Sequence, residues 1–165
     1  MDAAKGTQKQ EEVNSKVENA VKAGANLIMN EILPEECVYA IEPDILAKLK
    51  SSVIEPDETV IFAIRQSKLH NLLAPEIILV TNRKIVMAQP SILHYLKIKS
   101  MALKFSNYLQ YSKINEIEMN RGLMLRSITI AVAGAQDEVE IQGLGQREAE
   151  LFTKFLQKVL EGLGQ

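Results

Sequence analysis

Cysteine is almost missing from this chain. Cys37 is the only one in 165 residues, so no intrachain disulfide can form. With no second thiol and no cluster of histidines and carboxylates nearby, no metal site is expected. A lone thiol reads as a small buried apolar residue in a reducing compartment. Only two histidines occur, His70 and His94, and neither stands at a zinc-ligand spacing. No apolar run approaches the roughly 20 residues that a membrane-spanning helix needs. The first thirty residues carry Lys, Gln and Glu throughout, without the apolar centre of a signal peptide. These absences predict a soluble, cytoplasmic protein, with attachment to the edge of a membrane left open. One long stretch also lacks acid. From Ile77 to Asn115 there is no Asp or Glu, while Arg83, Lys84, Lys97, Lys99, Lys104 and Lys113 give six positive charges. Because the net charge is only −2, the molecule is polarised, and nucleic acid is not an expected partner.

What is present begins with the C-terminal stretch. Leu151, Phe152, Phe155, Leu156, Val159, Leu160 and Leu163 repeat at helical spacing and predict an amphipathic helix over 147–163. At roughly 1.5–3 kcal/mol per buried large apolar side chain, such a stripe needs a surface to cover. At the other end, residues 1–7 read as loose and 8–33 as a helix whose narrow apolar face includes Val13, Val17, Val21 and Ile28. Pro34 should stop it. That face has two readings of equal weight: it packs on the body of the domain, or it pairs with a second copy. Pro34-Glu35-Glu36 and Pro43-Asp44 both resemble helix starts, and the second leads into a short helix ending near Ser51.

Beyond Pro56 the period changes from helical to two. Strands are predicted at 59–65, 76–81, 84–88, 108–111, 115–120, 127–133 and 138–142, rich in β-branched residues and separated by turn signals. Asn82-Arg83 suits a tight hairpin, Arg121-Gly122 marks another turn, and Gly143 and Gly145 release the chain into the last helix. Residues 90–106 carry too many apolar groups for an ordinary loop, with Lys97, Lys99 and Lys104 interleaved. Residues 96–99 alternate like a strand. The segment is either a basic apolar surface that meets anionic lipid or an acidic partner, or core residues beside lysines that guard an edge strand.

Leu79-Val80-Thr81-Asn82-Arg83-Lys84-Ile85-Val86, Leu109-Gln110-Tyr111-Ser112-Lys113-Ile114, the arginine–glycine turn, Ser127-Ile128-Thr129-Ile130 and the closing helix resemble, in their order, the bacterial-type pleckstrin-homology (PH-like) domains. The resemblance covers about 54–163. It implies an α+β fold: a bent antiparallel sheet of about seven strands, capped by the C-terminal amphipathic helix. Residues 1–52 then form an N-terminal helical extension and 53–165 the PH-like domain. The family implies binding rather than catalysis, with lipid head groups, peptides or other domains as ligands, and a tendency to self-associate. In lipid-binding eukaryotic members, basic residues between the first two strands grip phosphates. Here that loop offers Arg65, Lys68 and His70, which is sparse, and the helix tryptophan of those members is absent.

Signatures of catalysis are missing. Gly143-Leu144-Gly145 precedes a helix, but no Walker lysine follows, so it reads as a turn. Glu116/Glu118 and Glu138/Glu140 lie two apart on strands and share a solvent face. No cofactor is implied. The function read from the sequence is a non-catalytic interaction module that binds a protein partner or itself, with Val13, Val17, Val21 and Ile28 as the candidate interface. The alternative is a peripheral membrane module that meets anionic lipid through Arg65, Lys68, Lys97, Lys99 and Lys104.

Overall fold

The computed structural model describes residues 2–30, 41–90 and 103–164. Its last helix, α3 (Gln146–Leu163), buries Ala149, Phe152, Phe155, Leu156, Val159 and Leu160 along one face. It ends at Gly164, whose positive φ of 78° lets the chain leave a helix cleanly. The stripe predicted for it is therefore present, and Phe155 is its centre. The Phe155 ring meets Phe62 edge-on at 5.2 Å between centroids and Tyr111 at 6.2 Å.

Seven strands among the described residues lie beneath: β1 (Val60–Arg65), β2 (Ile77–Thr81), β3 (Lys84–Pro90), β4 (Leu103–Gln110), β5 (Ile114–Arg121), β6 (Arg126–Val132) and β7 (Val139–Leu144). All pairings are antiparallel. They form two sheets in chain order, β1-β2-β3-β4 and β5-β6-β7. The α+β architecture expected from the alternation is thus observed. A 3-10 turn at Tyr111–Lys113 makes the corner between the sheets, where a plain turn is predicted.

Strands β2 and β3 are buried on both faces, for a reason visible in β2. Ile78 and Val80 enter the main core under α3, while Ile77 and Leu79 enter a second core with Ile45 and Leu49 of α2 (Pro43–Ser52). Such a strand reads as continuous apolar sequence rather than alternation. The three-stranded sheet instead leaves Glu116, Glu118 and Glu140 outside, as alternation predicts.

Three expectations need correction. Helix α1 runs Asp2–Asn30, starting before Gln8, because residues 2–9 are mostly good helix formers and only Gly6 opposes them. Strand β4 begins at Leu103, not Tyr108, and pairs with β3 up to Pro90. Strand β7 continues past Gln142 to Leu144, because Gly143 takes a φ of 69° within it. The helix stop at Pro34, the helix start beside it, Cys37 and the 91–102 stretch lie outside the described residues.

Helix α1 lies antiparallel along α3. Gly24 sits on Phe155 and Val159, where a Cβ would come within 3.0 Å of the Phe155 ring, and Ala20 meets Gly162. A residue larger than glycine would hold the two helices apart at that point. The described helices α1 and α2 are thus packed against α3 and the four-stranded sheet respectively.

Candidate functional site

The strands give the molecule two ends. At the first lie the β2–β3 turn, the β4–β5 corner and the β6–β7 turn. At the second lie the β1–β2 loop, the β5–β6 hairpin tip and the start of α3.

The first end is a closed network of charges. The Glu58 carboxylate is fully buried. It accepts from Thr81 Oγ1 and from the Glu55 N–H at 3.1 Å, and pairs with Lys84 Nζ at 3.2 Å. Lys84 Nζ also donates to the Val53 carbonyl at 2.8 Å. The Tyr111 hydroxyl donates to the Thr81 carbonyl at 2.7 Å. Burial, with the Glu58 charge behind it, pushes the Tyr111 phenol well above its ordinary value. Above this layer the Arg83 guanidinium binds Glu55 at 2.7 Å and Asp57 by two hydrogen bonds, and its Nε faces Glu18 of α1 at 3.8 Å. The hydrogen bond to Asp57 raises Arg83 and lowers Asp57. A polar cleft of about 350 Å³ lies beside it, lined by Val13, Val17, Arg83, Tyr108 and Tyr111 among others. Arg83 and Lys84 in its wall already hold carboxylates, so the arrangement is a clamp rather than a receptor for an anion.

The second end is pinned below and bare above. Gln66 binds the loop to β7: its side chain donates to the Gln142 carbonyl at 2.9 Å and accepts from the Glu76 N–H at 2.9 Å. The Ser67 N–H donates to the Gly143 carbonyl at 2.8 Å. His70 packs against Gly143, where any Cβ would overlap its Cβ and ring; this contact explains the glycine inside β7. Beyond these anchors the loop raises Leu69, Leu72 and Leu73, which are 74%, 71% and 54% exposed. The hairpin tip does the same with Leu123 and Met124, 102% and 71% exposed. The Gly122 N–H donates to the Leu125 carbonyl at 2.9 Å, and Arg126 Nη1 to the Gly122 carbonyl at 3.1 Å, so the tip is a braced turn. Strand β6 opens with Arg126 opposite Leu144, the residue after Gly143. The tip and the loop therefore stand at one end of the fold. Five large apolar side chains at one end exceed the scattered single ones that an ordinary surface carries.

The residues singled out from sequence fall into three groups. Arg65 closes β1 at the loop end, opposite Ile77, and Lys68 stands exposed in the loop beside Leu69. Lys104 lies on β4 opposite Gln89, and among the described residues β4 pairs with β3 alone and edges its sheet. Lys97 and Lys99 lie outside the described residues. Of the α1 stripe, Val21 and Ile28 are buried in the chain's own core and Val17 is partly so, while Val13 is 42% exposed. The reading in which the stripe packs on the domain body describes these residues. Sequence reasoning missed Leu123 and Met124. The signal was there: the alternation of β5 stops at Arg121 and resumes at Ser127, leaving Leu-Met-Leu between two arginines. Among the described residues, no three His, Cys, Asp or Glu stand where they could hold a metal ion. No described helix is long and apolar enough to cross a membrane.

The family model described as the bacterial PH domain matches residues 54–158. Among solved structures, a DUF1696 family protein with a pleckstrin-homology domain from Shewanella loihica PV-4 is similar at 12% identity and a TM-score of 0.46, over 72% of this chain and 93% of that one. A pleckstrin homology domain from Shewanella amazonensis SB2B is similar at 9% identity and a TM-score of 0.46, over 71% of this chain and 87% of that one. No curated protein sequence matches.

Proposed function

Since the chain belongs to the bacterial PH domain family, we propose that it is a non-catalytic interaction module that docks on a partner surface through the loop end of its sheets. One observation carries this reading: Leu69, Leu72, Leu73, Leu123 and Met124 stand exposed at that end on two anchored loops. Exposed apolar groups of this size on a braced frame are what a docking surface requires, since little ordering is left to be lost on binding. Self-association through the α1 stripe has less support, because Val21 and Ile28 already fill the chain's own core.

The test is partner-independent. A photo-crosslinking amino acid is placed at position 123, or at position 134 in the β6–β7 turn, of the full chain in its own cells. Adducts of any chemistry should form from 123 and not from 134. Adducts from 134 alone, or none from 123, would overturn the reading.

A further inference from the structure

We propose that α1 is a releasable strap: it lifts from α3 as a unit, leaves the rest of the fold in place and uncovers an apolar strip of Phe155, Val159 and Gly162. Docking at the loop end does not depend on it.

The grip of α1 is short for its length. Each of residues 4–16 is exposed, and the buried positions are Ala20, Val21, Gly24, Ala25 and Ile28. They span about two and a half turns of a 29-residue helix. Three of the five are alanine or glycine, which take little apolar surface out of water. The closed position is nonetheless specific. A Cβ on Gly24 would come within 3.0 Å of the Phe155 ring and 3.1 Å of Val159 Cγ2, and a Cβ on Gly162 within 2.8 Å of the Ala20 Cβ. These close approaches lie four residues apart on α1, on one face, so the helix seats in one register and releases as one piece.

The charge contact beside this grip can break without damage to its neighbours. Glu18 faces Arg83 Nε at 3.8 Å, beyond hydrogen-bond reach, and Nε has no hydrogen-bond partner among the described residues. The other guanidinium nitrogens hold Glu55 and Asp57. Lifting α1 therefore takes no hydrogen bond from Arg83 and leaves the clamp at the turn end intact.

The body left behind is complete in itself. Both sheets, and α3 as far as residue 158, lie in the 54–158 stretch that matches the family model, and α1 lies outside it. Phe155 is held from the sheet side by Phe62 and Tyr111, neither of them on α1. What α1 covers is the other side of α3, where Phe155, Val159 and Gly162 fall at i, i+4 and i+7 of one face. Uncovered, that strip presents apolar surface along about two turns.

Hydrogen–deuterium exchange of the full chain tests this on wild type, Gly24→Leu and Glu18→Gln. In wild type the amides of 17–28 should exchange about tenfold or more faster than those of β2 and β3, with similar protection along the segment. Gly24→Leu sets a side chain against Phe155 and should speed 17–28 by roughly a further tenfold. It should leave β2 and β3 unchanged and raise the fluorescence of an apolar dye that reports uncovered surface. Glu18→Gln weakens the charge contact and disturbs no packed residue. It should speed 17–28 by about threefold and spare the sheets, as rising salt should in wild type. Exchange of 17–28 at the pace of the sheets in wild type would overturn the proposal. So would a Gly24→Leu variant that speeds the sheets as much as α1, since α1 would then open only with the whole fold.

Discussion

The two ends of the sheets are built from similar material and treated in opposite ways. At the turn end Arg83 meets three carboxylates and Lys84 meets a buried Glu58. At the loop end two arginines face each other and five large apolar groups meet solvent. One end matches Arg83 and Lys84 with carboxylates of the chain; the other sets Arg121 opposite Arg126 and leaves its large apolar groups in solvent. Stability and docking are thereby separated in space, so substitutions at the two ends should have separable effects.

The largest effect is expected from Glu58→Ala. Removing the carboxylate leaves the Lys84 ammonium with the neutral Val53 carbonyl and the Thr81 hydroxyl with the Lys84 carbonyl, so the broken charge pair in this buried layer costs about 3 kcal/mol. Chemical denaturation should read this as a lower midpoint with an unchanged slope. A loss under about 1 kcal/mol would mean that the turn end is not a clamp.

Next comes Gly143→Val, which places a side chain where His70 lies and forces a left-handed φ on a β-branched residue, at about 2 kcal/mol. Adding His70→Gly, which removes the Cβ as well as the ring, should recover the steric part and leave the backbone part. Simple additivity of the two losses would show that the loop is not seated on β7.

Tyr111→Phe should be smaller, about 1 kcal/mol for the hydrogen bond to the Thr81 carbonyl. Its pH dependence sharpens the test. The folded state holds the phenol protonated above its ordinary value of 10.0. That contribution is therefore fully present below pH 10 and is lost as pH rises toward the raised folded value. Wild type should lose stability along this alkaline limb, and the phenylalanine variant should lose less. Equal slopes would contradict the buried assignment of Tyr111.

The smallest effect is expected from the pair Leu123→Ser and Met124→Ser, within about 0.5 kcal/mol of wild type by the same denaturation. A large loss there would mean that the tip is part of the core.

Much of the frame was legible before any coordinates. The stripe of α3 showed its period because one face alone is buried, and the Asn82-Arg83 turn showed because the strands beside it are unmistakably apolar. What could not be read was long-range. Nothing near Arg83 in sequence announces Glu18, Glu55 and Asp57, which converge only after α1, α2 and the β2–β3 turn have packed. The α1 stripe was ambiguous because an apolar face is the same whether its partner is α3 or another chain; in the fold Gly24 admits Phe155 at close range and Val21 and Ile28 lie in the chain's own core. The loop-end groups were hidden for a different reason. Leu123 and Met124 look like core residues by type, and only the break in the β5–β6 alternation marks them as a tip.

The claim at the centre is that the loop end, and not the turn end, is the docking face. Photo-crosslinking of the full chain in its own cells, with the reactive side chain placed in turn at 72 and 123 of the loop end and at 83 and 134 of the turn end, tests it most directly. Adducts should form from 72 and 123 and not from 83 or 134. Adducts from the turn-end positions with none from the loop end would contradict the account.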